Sequence, residues 1–115
     1  MRVLGALTLI AALFGTASAN AEDWAAQAEK HAVDLADFRF HTGETLPSVT
    51  MTYYTLGTPQ RDADGHITNA VMLLHGTGGN GTSLLRPSFG DELFGPGEPL
   101  DLATHYIVSP DNLGH

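Results

Sequence analysis

Residues 70–74 read Ala-Val-Met-Leu-Leu, and this run limits the folds open to the chain more than any other stretch. A strand with one wet face would alternate apolar and polar residues. This one does not, so it predicts a strand covered on both faces, as in a central parallel sheet flanked by helices. The run empties at once into glycines, His75-Gly76-Thr77-Gly78-Gly79-Asn80-Gly81. Any chemistry proposed for the chain has to account for that loop.

The rest of the sequence supplies lesser elements around this strand. Residues 21–37 read as a helix, because Trp24, Ala28, His31 and Leu35 recur at helical spacing and Glu22 and Asp23 suit the positive end of its dipole. His31 on that stripe reads as a packed or rim histidine rather than a ligand. Residues 38–40, a turn at 41–44 and residues 49–56 predict a β-hairpin, with Val49, Met51 and Tyr53 alternating with Thr50, Thr52 and Tyr54. Gly57-Thr58-Pro59 ends the second strand, and residues 61–66 form a polar turn. Asp62-Ala63-Asp64-Gly65 resembles part of a calcium loop, but Gln60 and Val71 stand where the first Asp and closing Glu belong, so a solvated turn and no metal site is expected. After the glycines comes a short segment at 82–85 stopped by Pro87, then one further turn at 89–94, a loop at 95–97 and a last strand at 106–109.

The first 19 residues carry a different signal. Arg2 gives a positive start, residues 3–14 are apolar apart from Gly5 and Thr8, and Thr16-Ala17-Ser18-Ala19 closes the segment with small residues. That is the layout of a secretory signal peptide, with cleavage expected after Ala19, and residues 20–115 form the second unit. A stable membrane anchor is not expected, since the run falls short of the roughly 20 residues needed to span a bilayer. The mature protein is therefore expected to be periplasmic or secreted. Its charge agrees with a role away from nucleic acids: five Lys plus Arg against 13 Asp plus Glu give a net −8, which excludes binding by phosphate neutralisation. The chain has no cysteine, so disulfide frameworks and thiolate metal sites are excluded as well.

Three chemistries compete for the glycine loop. Gly76-Thr77-Gly78-Gly79-Asn80-Gly81 satisfies GxGxxG, but Pro87 would end the helix that must carry the third glycine, and Asp101 lies beyond two Gly/Pro loops rather than at a second strand. A phosphate loop fails because no Lys follows the glycines. The third reading is an oxyanion loop. Acyl transfer builds negative charge on a carbonyl oxygen, and glycines let backbone N–H groups approach it. Thr77 would then donate its N–H, helped by Gly78, in a loop made pliant by Gly76 and braced by hydrogen bonds from the His75 side chain. No cofactor is implied. The non-catalytic alternative is a glycine turn in an exported relic or binding module.

At this point the residues resemble a known family. Phe38 to Gly43, Tyr53 to Thr58, Asn69-Ala70-Val71 leading to His75, Gly95-Pro96-Gly97 with Pro99 and Asp101, and Tyr106-Ile107-Val108 running into Asn112-Leu113-Gly114 are together similar to the amino-terminal part of an α/β-hydrolase. The most similar branch is that of the homoserine O-acetyltransferases. The resemblance implies an α/β fold represented by strands one to four, preceded by the signal peptide and a short helix, and forming an incomplete domain. It also implies a sheet order in which the third strand lies between the fourth and a fifth, and a Ser, Asp and His triad with Ser in a GxSxG elbow. No GxSxG occurs in these 115 residues. Ser83 has Gly81 before it but Leu85 after it, and Asp111 and His115 read as loop structure. The chain alone is expected to be inactive and, with an open apolar edge at the third strand, to aggregate. The branch usually reads His-Ala-Leu-Thr-Gly where this chain has His75-Gly76-Thr77-Gly78-Gly79. The reading carried forward is therefore hydrolysis of a small carboxylic ester, with homoserine-type O-acyl transfer as the alternative.

Overall fold

Trp24 opens the first helix among the described residues. The computed structural model describes residues 22–113, so the expected signal segment at 1–19 lies outside the described residues. Helix α1 (Trp24–Gln27) is capped by the Asp23 carboxylate, which accepts the Ala26 N–H at 3.0 Å. It ends at Ala28, whose backbone is extended.

The expected helix over 21–37 is corrected here. Strand β1 (Glu29–Arg39) takes most of it and pairs antiparallel with β2 (Thr45–Leu56) over ten residue pairs. Helical spacing of four residues does not exclude period two, and cross-strand partners decide between them: His31 faces Tyr53, Val33 faces Met51 and Leu35 faces Val49. The His31 and Tyr53 rings stack with centroids 4.8 Å apart. The hairpin was expected, but its first strand is far longer than residues 38–40. Near its tip Asp37, with φ +50°, lies opposite Pro47, which has no N–H to give the ladder.

Strands β3 (Ala70–Met72) and β4 (Tyr106–Pro110) complete a mixed sheet in the order β1-β2-β4-β3. β4 runs antiparallel to β2 and parallel to β3. The register puts Leu56, Ile107 and Val71 on one face, where Trp24, Leu85 and Phe94 cover them. Ile107 is fully enclosed. The second helix, α2 (Pro87–Leu93), begins at the proline expected to stop a helix. At the first helical position the missing N–H costs nothing and the fixed φ suits the turn, so Pro87 starts α2 rather than ending its predecessor. Gly90 of α2 lies against the Trp24 ring with no room for a β-carbon, and Trp24 Nε1 donates to Asp91 at 2.7 Å.

Two further contacts fix the end of the sheet where β4 begins. The Asn69 side chain donates to the carbonyls of Thr58 and Thr104 at 3.0 and 3.2 Å and accepts the Gln60 N–H at 2.7 Å. Gly57, with φ +78°, has no space for a side chain because the His105 carbonyl oxygen occupies it.

On the opposite face β3 is uncovered among the described residues. Met72 and Leu74 are 63% and 68% exposed, so the expectation of a strand covered on both faces is corrected: β3 is covered on one face and lies at the sheet edge. Among the described residues no strand pairs with its outer edge, and none of its residues carries the charge or proline that usually blunts such an edge. Met72→Lys is therefore expected to lower light scattering at a given protein concentration, while changing unfolding stability by no more than about 0.5 kcal/mol. Equal scattering from both proteins would remove the edge as the cause of aggregation.

Candidate functional site

Parallel pairing of β3 and β4 sends both chains out of the same end of the sheet, and the glycine loop and the segment after Pro110 meet there. The loop begins with a turn in which the Gly79 N–H donates to the Gly76 carbonyl at 3.0 Å. Gly78 holds φ +76° at the third position of that turn, which a side chain would oppose. His75 Nδ1 lies 2.9 Å from the Gly76 carbonyl oxygen. A carbonyl only accepts, so Nδ1 carries the proton in that contact.

Gly76, Thr77 and Gly78 form the exposed crest of the loop. Among the described residues no acceptor engages the N–H of Thr77 or Gly78, whereas that of Gly79 is spent inside the turn. Below the crest, Asn80 Oδ1 accepts the N–H and hydroxyl of Thr82 at 2.9 and 2.8 Å, and the Asn80 N–H donates to Ser83 Oγ at 2.9 Å. These bonds turn the chain so that Leu85 enters the core.

The serines are accounted for in the same geometry. Ser83 Oγ serves the Asn80 turn, and Ser109 is buried within β4 with its hydroxyl donating to the Leu73 carbonyl at 3.3 Å. Ser48 is exposed on β2 and Ser88 on α2, while Ser18 lies outside the described residues. No helix begins on the glycines: residues 81–86 are turn and bend, and α2 starts only at Pro87. A pyrophosphate on this loop would therefore meet no helix dipole.

Two residues matter more than sequence reasoning suggested. Asp111 accepts the Gly81 N–H at 2.6 Å and so ties the loop to the end of β4. Asp101 caps the loop before β4, accepting the N–H groups of Gly97 and Ala103 at 2.8 and 2.9 Å. Nothing in their spacing announces either contact, since each is local to a fold that pattern alone does not place.

Elsewhere, Asp62, Asp64 and His66 bring ligand atoms within 4.8 Å on an exposed turn. The Asp62 carboxylate there already accepts two backbone N–H groups, from Asp64 and His66, which is the work of a turn residue. A depression of about 380 Å³ lies at the other end of the sheet, lined by Gln27, Glu29, Thr55, Thr58 and Tyr106, and shares no residue with the glycine loop. No helix among the described residues is long and apolar enough to cross a membrane.

No model of a known protein family matches the chain. Individual proteins do. A homoserine O-succinyltransferase of Magnetococcus marinus is 32% identical over 79 residues, covering 63% of this chain and 19% of the relative. A homoserine O-acetyltransferase of Haloarcula marismortui is 30% identical over 89 residues, 70% of this chain and 21% of its own length. Among solved structures, homoserine O-acetyltransferase from Bacillus anthracis matches 75% of this chain with a TM-score of 0.60 at 25% identity, and 24% of that chain is covered. Esterase E22 gives the same TM-score at 24% identity and speaks for the fold alone. The class is thus the α/β-hydrolase fold, of which these residues build the amino-terminal part. Within it, the chain resembles the homoserine O-acetyltransferase-like branch, and its relatives by sequence here are homoserine O-acetyltransferases and O-succinyltransferases. It spans about a fifth to a quarter of the length of the proteins it matches.

The Asp101 contacts yield a pH prediction. The N–H groups of Gly97 and Ala103 hold its carboxyl below the ordinary value of 3.8, with a smaller contribution from His105 and a small opposing effect of burial. A lowered folded-state value means that the carboxylate supports this turn fully above the unfolded carboxyl range and loses that support as pH falls through the lowered value. The Gly97 amide resonance is expected to titrate with a midpoint below 3.8. A midpoint at or above that value would contradict the capping role.

Proposed function

We propose that this chain supplies the oxyanion side of a serine-dependent acyl transfer on a small carboxylic ester. The observation that carries the reading is the crest of the glycine loop, where the N–H groups of Thr77 and Gly78 meet no acceptor among the described residues and stand at the carboxyl end of parallel strands. When a nucleophile attacks an ester carbonyl, the oxygen gains negative charge. Fixed N–H donors stabilise that charge without reorganising. Thr77 is the main donor, Gly78 assists, Gly76 gives the backbone room to approach, and His75 braces the turn through Nδ1 and the Gly76 carbonyl. No GxSxG occurs in the 115 residues, and on this reading the chain by itself turns over no ester.

A second reading has support of its own. Relatives that transfer acetyl or succinyl groups to homoserine favour an alcohol as the final acceptor, whereas hydrolysis uses water. Both routes share the same oxyanion, and they differ only in what attacks the acyl-enzyme. Release of free acid against acylated alcohol, measured in the enzyme that carries the nucleophile with an activated short-chain ester and an added amino alcohol, separates them.

Export is part of the same proposal. The positive, apolar and small-residue order of residues 1–19 supports it. Mass spectrometry of the secreted or periplasmic product is expected to give an amino terminus at Asn20, and an intact Met1 on cytosolic protein would end the idea.

The oxyanion assignment predicts a contrast at Thr77. In the enzyme that carries the nucleophile, Thr77→Ala keeps the N–H and should change turnover little. Thr77→Pro removes it, at a cost on the order of 3 kcal/mol, or roughly a hundredfold in kcat. Equal losses in two folded variants would transfer the role to the hydroxyl.

A further inference from the structure

The glycine loop is held at two points, and both lead to β4. At its start, the Leu73 N–H donates to the Val108 carbonyl at 2.9 Å, and the Ser109 hydroxyl donates to the Leu73 carbonyl. At its end, the Gly81 N–H donates to Asp111 Oδ1 at 2.6 Å in a partly buried contact. Donors to a carboxylate form bonds roughly twice as strong as neutral pairs. Asp111 is itself fixed, because its own N–H donates to the Thr52 carbonyl at 2.9 Å. Gly81 has no slack on the other side: a β-carbon there would lie 2.6 Å from the Tyr54 ring and 2.7 Å from the Ser109 carbonyl oxygen.

From this geometry we infer that Asp111 is the positioning residue of the glycine loop, setting the height of the Thr77 and Gly78 donors through the Gly81 amide. The inference rests on the oxyanion reading for its purpose, though not for its geometry. It gives the carboxylate a static task. Oδ1 receives the Gly81 N–H, so the group acts on the crest through the loop. The closure of the loop by Asp111 also explains why the third glycine is needed where no helix follows it: only a residue without a side chain lets the backbone reach both Tyr54 and the carboxylate.

Amide hydrogen exchange on the full 115-residue chain tests the inference. Asp111→Ala is expected to speed exchange at Gly81 and Gly79 on the order of tenfold or more, with Ile107 in the core unchanged. Asp111→Asn keeps an acceptor oxygen and should restore protection to within about threefold of wild type. An unchanged Gly81 rate in Asp111→Ala, a rise shared by Ile107, or a failure of Asp111→Asn to restore protection would each overturn the assignment. The two readings fail separately. If the exchange pattern holds but Thr77→Pro leaves turnover intact, the oxyanion reading falls and the clamp stands; the reverse pattern removes the clamp alone.

Discussion

The whole arrangement hangs on β4, and on Ile107 within it. Its backbone lies between β2 and β3, opposite Leu56 on one side and Val71 on the other. Its side chain is fully enclosed among the residues that α1, the glycine-loop turn and α2 contribute to the core. Because β4 is antiparallel to one neighbour and parallel to the other, it joins a hairpin built from local contacts to a strand that returns only after a long crossover. Truncating Ile107 would open a cavity where the two halves meet, a change that typically costs several kcal/mol.

The parts of the fold legible in the sequence were those with a strong local reason. The hairpin was visible in the alternation of Val49, Met51 and Tyr53, and β3 in its unbroken apolar run. What failed was the choice between periods. Ala28, His31 and Leu35 fit a helical stripe, yet His31, Val33 and Leu35 fit a strand equally well, and only the presence of Tyr53, Met51 and Val49 opposite them decides. That information lies in a different segment of the chain. Pro87 failed for a related reason, since the same residue that breaks a helix interior is well suited to the first turn, and its position relative to the turn at 81–86 could not be read locally.

The glycine loop was legible in the sequence, but its supports were not. That a strand empties into His75-Gly76-Thr77-Gly78 can be read without tertiary information. The contact from Asp111 to Gly81 joins residues 30 apart, across a sheet whose strand order the sequence leaves open. The same holds for the Ser109 hydroxyl on the Leu73 carbonyl. Both depend on β3 and β4 being neighbours in parallel register, a fact that belongs to the fold and not to any segment of it.

The glycines themselves show why a motif has no fixed meaning. Gly78 is required by a positive φ, Gly79 by the crowding of Ser83 Oγ and His75 Nδ1 at 2.9 and 3.1 Å from where its β-carbon would sit, and Gly81 by the approach to Tyr54 and Ser109. Each constraint is a separate steric one, and together they spell a string that matches a dinucleotide fingerprint. In that fingerprint the glycines feed directly into a helix, and the helix end supplies the positive field that holds a pyrophosphate. Here the chain makes a turn instead, drops Leu85 into the core, and starts its helix only at Pro87. With the field of a helix end displaced, what the loop still offers is individual N–H groups on its crest. Such donors suit a single oxygen that gains charge for an instant better than a diphosphate that carries charge throughout. The path of the chain beyond Gly81, turn rather than helix, is therefore the feature that separates the two chemistries.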